Sequence, residues 1–123
     1  MEKLLVIDDM PGVRRSIVAV LKREGYEIDE AENGAIGLEM CFSNQYGLVI
    51  TDLLMPDTDG AHVIAMLRAK MGDLCPKLMA ISGGGIAENT ALTLSAVKNS
   101  VDAVLSKPFH KEELIRHVQT VLS

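Results

Sequence analysis

Short apolar runs alternating with helix-spaced segments predict an α/β fold built on a parallel sheet. Leu4 to Ile7, Leu48 to Thr51 and Leu78 to Ile81 are uncharged runs of the kind found in strands buried on both faces. Each closes on polar residues: Asp8 and Asp9 after the first, Asp52 after the second, Ser82 after the third. Val104 and Leu105 lead in the same way through Ser106 into Lys107. The segments between have helical spacing, and a repeated βα order implies parallel strands joined by right-handed crossovers. Parallel strands place all their C-terminal ends on one edge, beyond which open α/β sheets bind ligands. Three carboxylates, a hydroxyl and an ammonium are therefore expected to converge there.

The elements follow in chain order. The first strand spans Lys3 to Ile7, and Pro11 opens a helix whose stripe is Val13, Ile17, Val20 and Leu21, with Gly25 as its stop. Tyr26 to Ala31 alternates polar and apolar residues and predicts a half-exposed edge strand. Asn33 and Gly34 turn into a short helix carrying Ile36, Leu38, Met40, Cys41 and Phe42, whose register the sequence leaves open. Leu48 to Thr51 is the third strand and runs into Asp52. After a turn over Pro56 to Gly60, the next helix presents Val63, Ile64, Met66 and Leu67, with Gly72 as its stop. Lys77 to Ile81 is the fourth strand. Gly83, Gly84 and Gly85 then give the most permissive backbone in the chain. A helix is expected over Ala87 to Lys98, with Leu92, Ala96 and Val97 inward. The fifth strand is Ala103 to Ser106, broken by Lys107-Pro108, and the C-terminal helix carries Leu114, Ile115, Val118, Val121 and Leu122.

A chain of 123 residues is expected to form one domain, residues 1–123, without linker, repeat or low-complexity segment. Hydrophobic residues at 48% and charged residues at 24% fit a globular protein rather than a disordered one. The net charge of −5 disfavours direct binding of nucleic acid or an anionic membrane. No apolar run approaches the ~20 residues that span a bilayer, and the N-terminus reaches two aspartates too early for a signal peptide, so a cytoplasmic location is expected. Cys41 reads as core filling and Cys75 as a loop thiol. The three histidines, His62, His110 and His117, show no zinc-type spacing. Met40, Met66 and Met79 read as core residues.

Carboxylates gathered on an apolar rim repel one another, and the usual remedies are a raised pKa or a hard cation. Mg²⁺ suits a site of few carboxylates, a carbonyl and several waters that leaves room for phosphate oxygens. The expected ligands are Asp9, Asp52 and the backbone carbonyl of Leu54, with Asp8 acting through water. Taken alone, the Asp8-Asp9 pair reads as a solvated turn and helix cap; in the company of Asp52 it reads as a metal site. Lys107 can pair with Asp52 at rest and with a phosphoryl group later. Pro108 fixes the chain direction beside it, and a cis Lys107–Pro108 bond would aim the lysine inward. The Ser82 hydroxyl and the Gly83 amide can donate to phosphoryl oxygens. No G-x-S-x-G surrounds Ser82, no dinucleotide loop spacing surrounds the glycines, and no GxxxxGK[ST] is present. Serine hydrolase and nucleotide-binding readings are therefore set aside.

Together, Asp8-Asp9, Asp52, Ser82 and Lys107-Pro108-Phe109 closely resemble the receiver domain of two-component response regulators. The resemblance runs from VIDDMPGVRRSI through TDLLMPDTDG to LSKPF. It implies a flavodoxin-like, doubly wound five-stranded parallel sheet in the order 2-1-3-4-5 with five helices. It further implies that Asp52 accepts a phosphoryl group from a sensor histidine kinase or histidine phosphotransfer protein. Asp8, Asp9 and Asp52 would hold Mg²⁺, and Ser82 and Lys107 would bind the phosphoryl oxygens. Such a domain is a signalling switch rather than an enzyme with an external substrate. Its output would pass to a downstream protein through the face of the 87–98 helix, the fifth strand and the C-terminal helix, as a monomer or weak homodimer.

The sequence departs from the family pattern in places. Val104 stands where receivers commonly carry Tyr or Phe, so no ring can swing inward as Ser82 moves. Ser100-Val101 replaces the usual Gly-Ala. Leu54 and Gly84 offer nothing to orient an attacking water, so slow self-dephosphorylation is expected. Two other functions fit parts of the same sequence: a receiver that binds partners without phosphorylation, and a Mg²⁺-dependent aspartyl phosphatase. The phosphatase reading is weakened by Leu54, which stands where haloacid dehalogenase-type enzymes carry a second Asp.

Overall fold

In the computed structural model, which describes residues 3–53, 60–83 and 100–123, a five-stranded parallel sheet has the order β2-β1-β3-β4-β5. Its strands are β1 (Lys3–Ile7), β2 (Glu27–Ala31), β3 (Leu48–Asp52), β4 (Lys77–Ser82) and β5 (Ala103–Ser106). The helices are α1 (Pro11–Arg23), α2 (Gly34–Ser43), α3 (Gly60–Met71) and α4 (Lys111–Leu122), with a 3₁₀ turn over Gly72–Leu74. Four α-helices thus lie among the described residues against the five expected. The helix expected over 87–98 falls outside them, as does the Pro56 turn. Strand boundaries agree with the sequence reading to within one residue. The main shift is at Gly60, which opens α3 instead of closing the turn before it.

Alternation along the strands explains the layering. Leu5, Ile7, Val49, Leu78 and Ala80 face α2 and α3, where Cys41, Val63, Ile64 and Leu67 complete one core. Leu4, Val6, Leu48, Ile50, Met79 and Ile81 face α1 and α4, meeting Ile17, Val18, Leu21, Leu114 and Val118. Helices therefore cover both faces, so β1 and β4 carry apolar residues at every position but their ends and β3 does so up to the buried Thr51. β2 does not keep the expected alternation: it buries Ile28 in one core and Ala31 in the other and leaves the residue before them and the two between more open, because it lies at an edge. Val18 joins the inward face of α1, which the Val13, Ile17, Val20, Leu21 stripe omitted. Met79 is fully buried, Met40 and Met66 are half-buried, and Phe42 turns to solvent.

Helix ends are set by specific residues. Pro11 is the first residue of α1. At its other end the Gly25 amide donates to Lys22 O and the Tyr26 amide to Leu21 O. Gly25 has φ of +95°, the left-handed conformation that closes this paired C-terminal motif. Asn33 caps α2 by accepting from the Ile36 amide at 2.8 Å. Parallel pairing brings the β1–α1 loop, the end of β3 and the end of β5 to the same sheet edge.

Candidate functional site

Parallel pairing fixes the site before any side chain is considered. Ile7 pairs with Thr51 and Asp52 with Ile81, while Ser82 pairs with Ser106, so residues after each strand emerge side by side. One carboxylate oxygen from each of Asp8, Asp9 and Asp52 lies within 4.8 Å of the others. Asp8 and Asp52 are 1% and 4% exposed, so the cluster is sunk into the edge rather than spread over it. The Lys107 Nζ reaches Asp52 Oδ2 at 3.2 Å, setting an ammonium against a buried member of the acidic group. The Lys107–Pro108 peptide is cis. The backbone amide of Lys107 donates to Ser82 O, tying the lysine to the end of β4.

Asp8 is fixed at three atoms. Its amide donates to Ala31 O at 3.1 Å, its Oδ1 accepts from the Met10 amide at 2.9 Å, and its carbonyl accepts from the Arg14 guanidinium at 2.8 Å. Asp8 Oδ2 is buried with no hydrogen-bond partner among the described residues. Burial is the main cause that lifts the Asp8 carboxyl above its ordinary value of 3.8, with Asp52 and Asp9 adding to the rise. The Met10 amide and Lys107 oppose it. A buried, unpartnered carboxylate oxygen facing two more carboxylates is the donor set a hard cation fits. Met10, not an aspartate, occupies the N-cap of α1 and makes no side-chain cap there, so the helix-cap reading of the Asp8-Asp9 pair does not hold.

The other expected site residues are distributed as follows. Ser82 is buried, and its hydroxyl makes a long 3.4 Å contact to Gly83 O. Gly83 is half-buried beside it. Val104 pairs with Ala80 and packs against the α2–α3 core, one strand removed from the carboxylates. Leu54, expected to supply a carbonyl, and Gly84 lie outside the described residues. Cys41 is buried with its thiol pushed up to about 12, chiefly by burial, and Cys75 is half-buried. Both stand apart from the acidic cluster.

Two residues escaped the sequence reading. Arg14 links α1 to the Asp8 carbonyl and, through Nε, to Glu30 Oε1 at 3.0 Å. Gly60 abuts the backbone of Asp52, its Cα side facing the Asp52 carbonyl oxygen. A cation six positions after Asp8 and an acid at the end of β2 were visible. Their meeting depends on β1–β2 pairing and was not.

A measurable consequence follows from Asp8. With metal removed, its raised pKa means that the folded state carries a penalty at neutral pH, fully present above the folded pKa. The penalty is lost as pH falls through that value and is absent below the ordinary 3.8. Asp8→Asn is therefore expected to raise the urea midpoint of chelator-treated protein at pH 7, and the gain shrinks in acid. A midpoint lower than the parent's at pH 7 would contradict this.

Three carboxylates, an ammonium and a hydroxyl thus lie at the carboxyl edge of a doubly wound sheet, the edge at which open α/β sheets bind ligands. The chain belongs to the response regulator receiver domains, whose family model matches residues 4–119. It is 34% identical over 120 residues to the transcriptional regulatory protein ResD of Bacillus subtilis, covering 98% of this chain and 48% of that protein. It is 31% identical to the transcriptional regulatory protein SrrA of Staphylococcus aureus, over 98% of this chain and 47% of that protein. The chain thus spans about half the length of the curated relatives it matches. The crystal structure of the response regulator TrrA of Thermotoga maritima, in complex with Mg²⁺-BeF, superposes with a TM-score of 0.84 at 34% identity. That match covers 99% of this chain and all of TrrA. The chain is accordingly a receiver domain of the two-component type, a signalling switch with the flavodoxin-like fold. No helix among the described residues is long and apolar enough to cross a membrane.

Proposed function

We propose that Asp52 is the phosphoacceptor and that residues 1–123 act as one receiver domain in the cytoplasm. The observation that carries this reading is the convergence of Asp8, Asp9 and Asp52 within 4.8 Å with Lys107 set on Asp52. The donor would be a phosphohistidine on a sensor kinase or phosphotransfer protein. An Asp52 carboxylate oxygen attacks phosphorus and forms an acyl phosphate O–P bond. The N–P bond breaks, and the imidazole leaves with its electron pair and takes up a proton. The Lys107 ammonium, the Ser82 hydroxyl and the Gly83 amide are the donors offered to the new phosphoryl oxygens.

Asp8, Asp9 and Asp52 are the residues that would hold Mg²⁺, with the Leu54 carbonyl as a fourth ligand. Mg²⁺ bound there supplies charge neutralisation for the phosphoryl oxygens. Asp8 Oδ2, buried without a partner, supports this fit, and the TrrA structure with Mg²⁺-BeF supports the choice of ion.

Switching then amounts to a population shift. Charge-assisted hydrogen bonds contribute ~1.5 to 3 kcal/mol each. Two formed only in the phosphorylated state approach the ~5.5 kcal/mol that turns a 1:99 equilibrium into 99:1. The readout passes to a protein partner through β5, α4 and the 87–98 segment, as a monomer or weak homodimer. The described part of that face is the groove between β5 and α4 lined by Val104, His117 and Val121. A net charge of −5 favours a protein over nucleic acid as the direct partner of this domain. With Val104 in place of a ring, the signal travels through the Ser82–Gly83 backbone and the Lys107 amide bonded to it.

Intact mass after incubation with a small acyl phosphate and Mg²⁺ tests the reading. The parent is expected to gain one phosphoryl group and Asp52→Asn none. Equal gain in both, or no gain in either when both are folded and bind Mg²⁺, would sink it.

A further inference from the structure

Building on the acceptor site just proposed, we infer that Arg14 is a positioning residue for the divalent cation, acting through the backbone of Asp8. Its guanidinium is a two-pronged link. One nitrogen donates to the Asp8 carbonyl at 2.8 Å and Nε to Glu30 Oε1 at 3.0 Å. The side chain of Arg14 is 12% exposed and that of Glu30 37%, so the link closes the rim of the sheet edge over the start of the β1–α1 loop. A planar fork holds two acceptors in one fixed geometry, which a flexible ammonium cannot do.

The rest of Asp8 shows what the link is for. Its amide and Oδ1 are held by backbone partners, Ala31 O at the end of β2 and the Met10 amide two residues on. Only the carbonyl is held by a side chain reaching in from a helix and braced by a second strand. With these three atoms fixed, Oδ2 remains as the unengaged, buried atom of a residue whose carboxylate belongs to the acidic cluster. Arg14 contacts the backbone carbonyl of Asp8 and not its carboxylate. Arg14 therefore works by geometry: it holds the loop that presents Asp8 and Asp9 together. Groups that orient metal ligands from outside typically change affinity by about 10- to 100-fold when removed.

The test is Mg²⁺ binding to the full chain by titration calorimetry, run on the parent, Arg14→Met, Arg14→Lys, Glu30→Gln and Asp9→Asn. Arg14→Met is expected to weaken Mg²⁺ binding about 10-fold. It should also raise the Mg²⁺ concentration for half-maximal phosphoryl uptake by the same factor, the effect falling on half-saturation rather than on the plateau. Arg14→Lys recovers part of the affinity, and Glu30→Gln shifts it in the same direction by less. Should Arg14→Met fail to fold, Glu30→Gln on the exposed rim decides: weakened binding supports the inference, and parental binding overturns it. Parental affinity in folded Arg14→Met, or a lowered plateau with unchanged half-saturation, also overturns it. Asp9→Asn separates the two levels. If it binds Mg²⁺ as the parent does, the acidic site itself is wrong. If it loses binding while Arg14→Met does not, only the role of Arg14 falls.

Discussion

Lys107→Met is expected to slow phosphoryl uptake by about 10²- to 10³-fold, the usual cost of removing one preorganised donor from a charge-developing site. The same substitution is expected to strengthen Mg²⁺ binding. Lys107 Nζ lies 3.2 Å from Asp52 Oδ2 in a site where Asp52 is almost fully buried, so lysine and metal compete for one carboxylate. Removing the ammonium takes away the competitor at rest and the phosphoryl partner during transfer. The two effects therefore have opposite signs, which separates this account from general damage to the fold. Mg²⁺ titration beside initial rates at saturating Mg²⁺ measures both. An unchanged rate would make Lys107 a surface charge that happens to lie near Asp52. Slower uptake together with weaker Mg²⁺ binding would point to a collapsed site.

Gly60→Ala is expected to destabilise the chain by roughly 3 kcal/mol, at the upper end for an overpacked substitution, and to slow phosphoryl uptake by roughly 10²-fold. A Cβ built on Gly60 meets the Asp52 carbonyl oxygen within contact distance and lies 2.8 Å from Leu53 Cα and 2.9 Å from Asp52 C. All three are backbone atoms of the strand end that carries the acceptor, so no side chain can yield. The Gly60 amide also donates to Leu53 O at 3.2 Å, which holds α3 against that strand end. A side chain here must push α3 away or shift Asp52, and a displacement of about 1 Å from reacting geometry costs roughly 10²-fold in rate. Gly12→Ala is the control, since nothing lies within 4 Å of a Cβ there. Urea unfolding and the intact-mass assay should separate the two variants clearly. Parental stability and full phosphoryl gain in Gly60→Ala would show that the backbone contact has slack.

Strand positions were readable because β1, β3 and β4 are buried on both faces and therefore contain uncharged runs that end on polar residues. The same ends carry Asp8, Asp9, Asp52, Ser82 and Lys107, so parallel topology alone brought the site together on paper. Strand order came from the family resemblance and not from spacing, since a βα repeat is compatible with several orders. Helix registers were less legible. α2 buries Gly34, Gly37 and Cys41. Glycine at an inward position is invisible to a search for apolar stripes, and Gly37 faces inward because the Ile7 side chain fills the space a Cβ would need. Arg14–Glu30 and the Gly60–Asp52 approach were missed for one reason: both depend on which elements lie side by side, and neither residue type announces its partner. An arginine in the first turn of a helix is usually solvated, and a glycine before a helix usually makes a turn.

The most direct test of the central claim is to identify the modified atom rather than the mass alone. After phosphoryl uptake from an acyl phosphate in the presence of Mg²⁺, borohydride reduction converts an aspartyl phosphate into homoserine, and peptide mapping locates the converted residue. The account predicts conversion at position 52 and at no other aspartate, with Asp8 and Asp9 recovered intact. Conversion at Asp8 or Asp9, or a phosphoryl group that resists reduction and maps to Ser82 or a histidine, would contradict it.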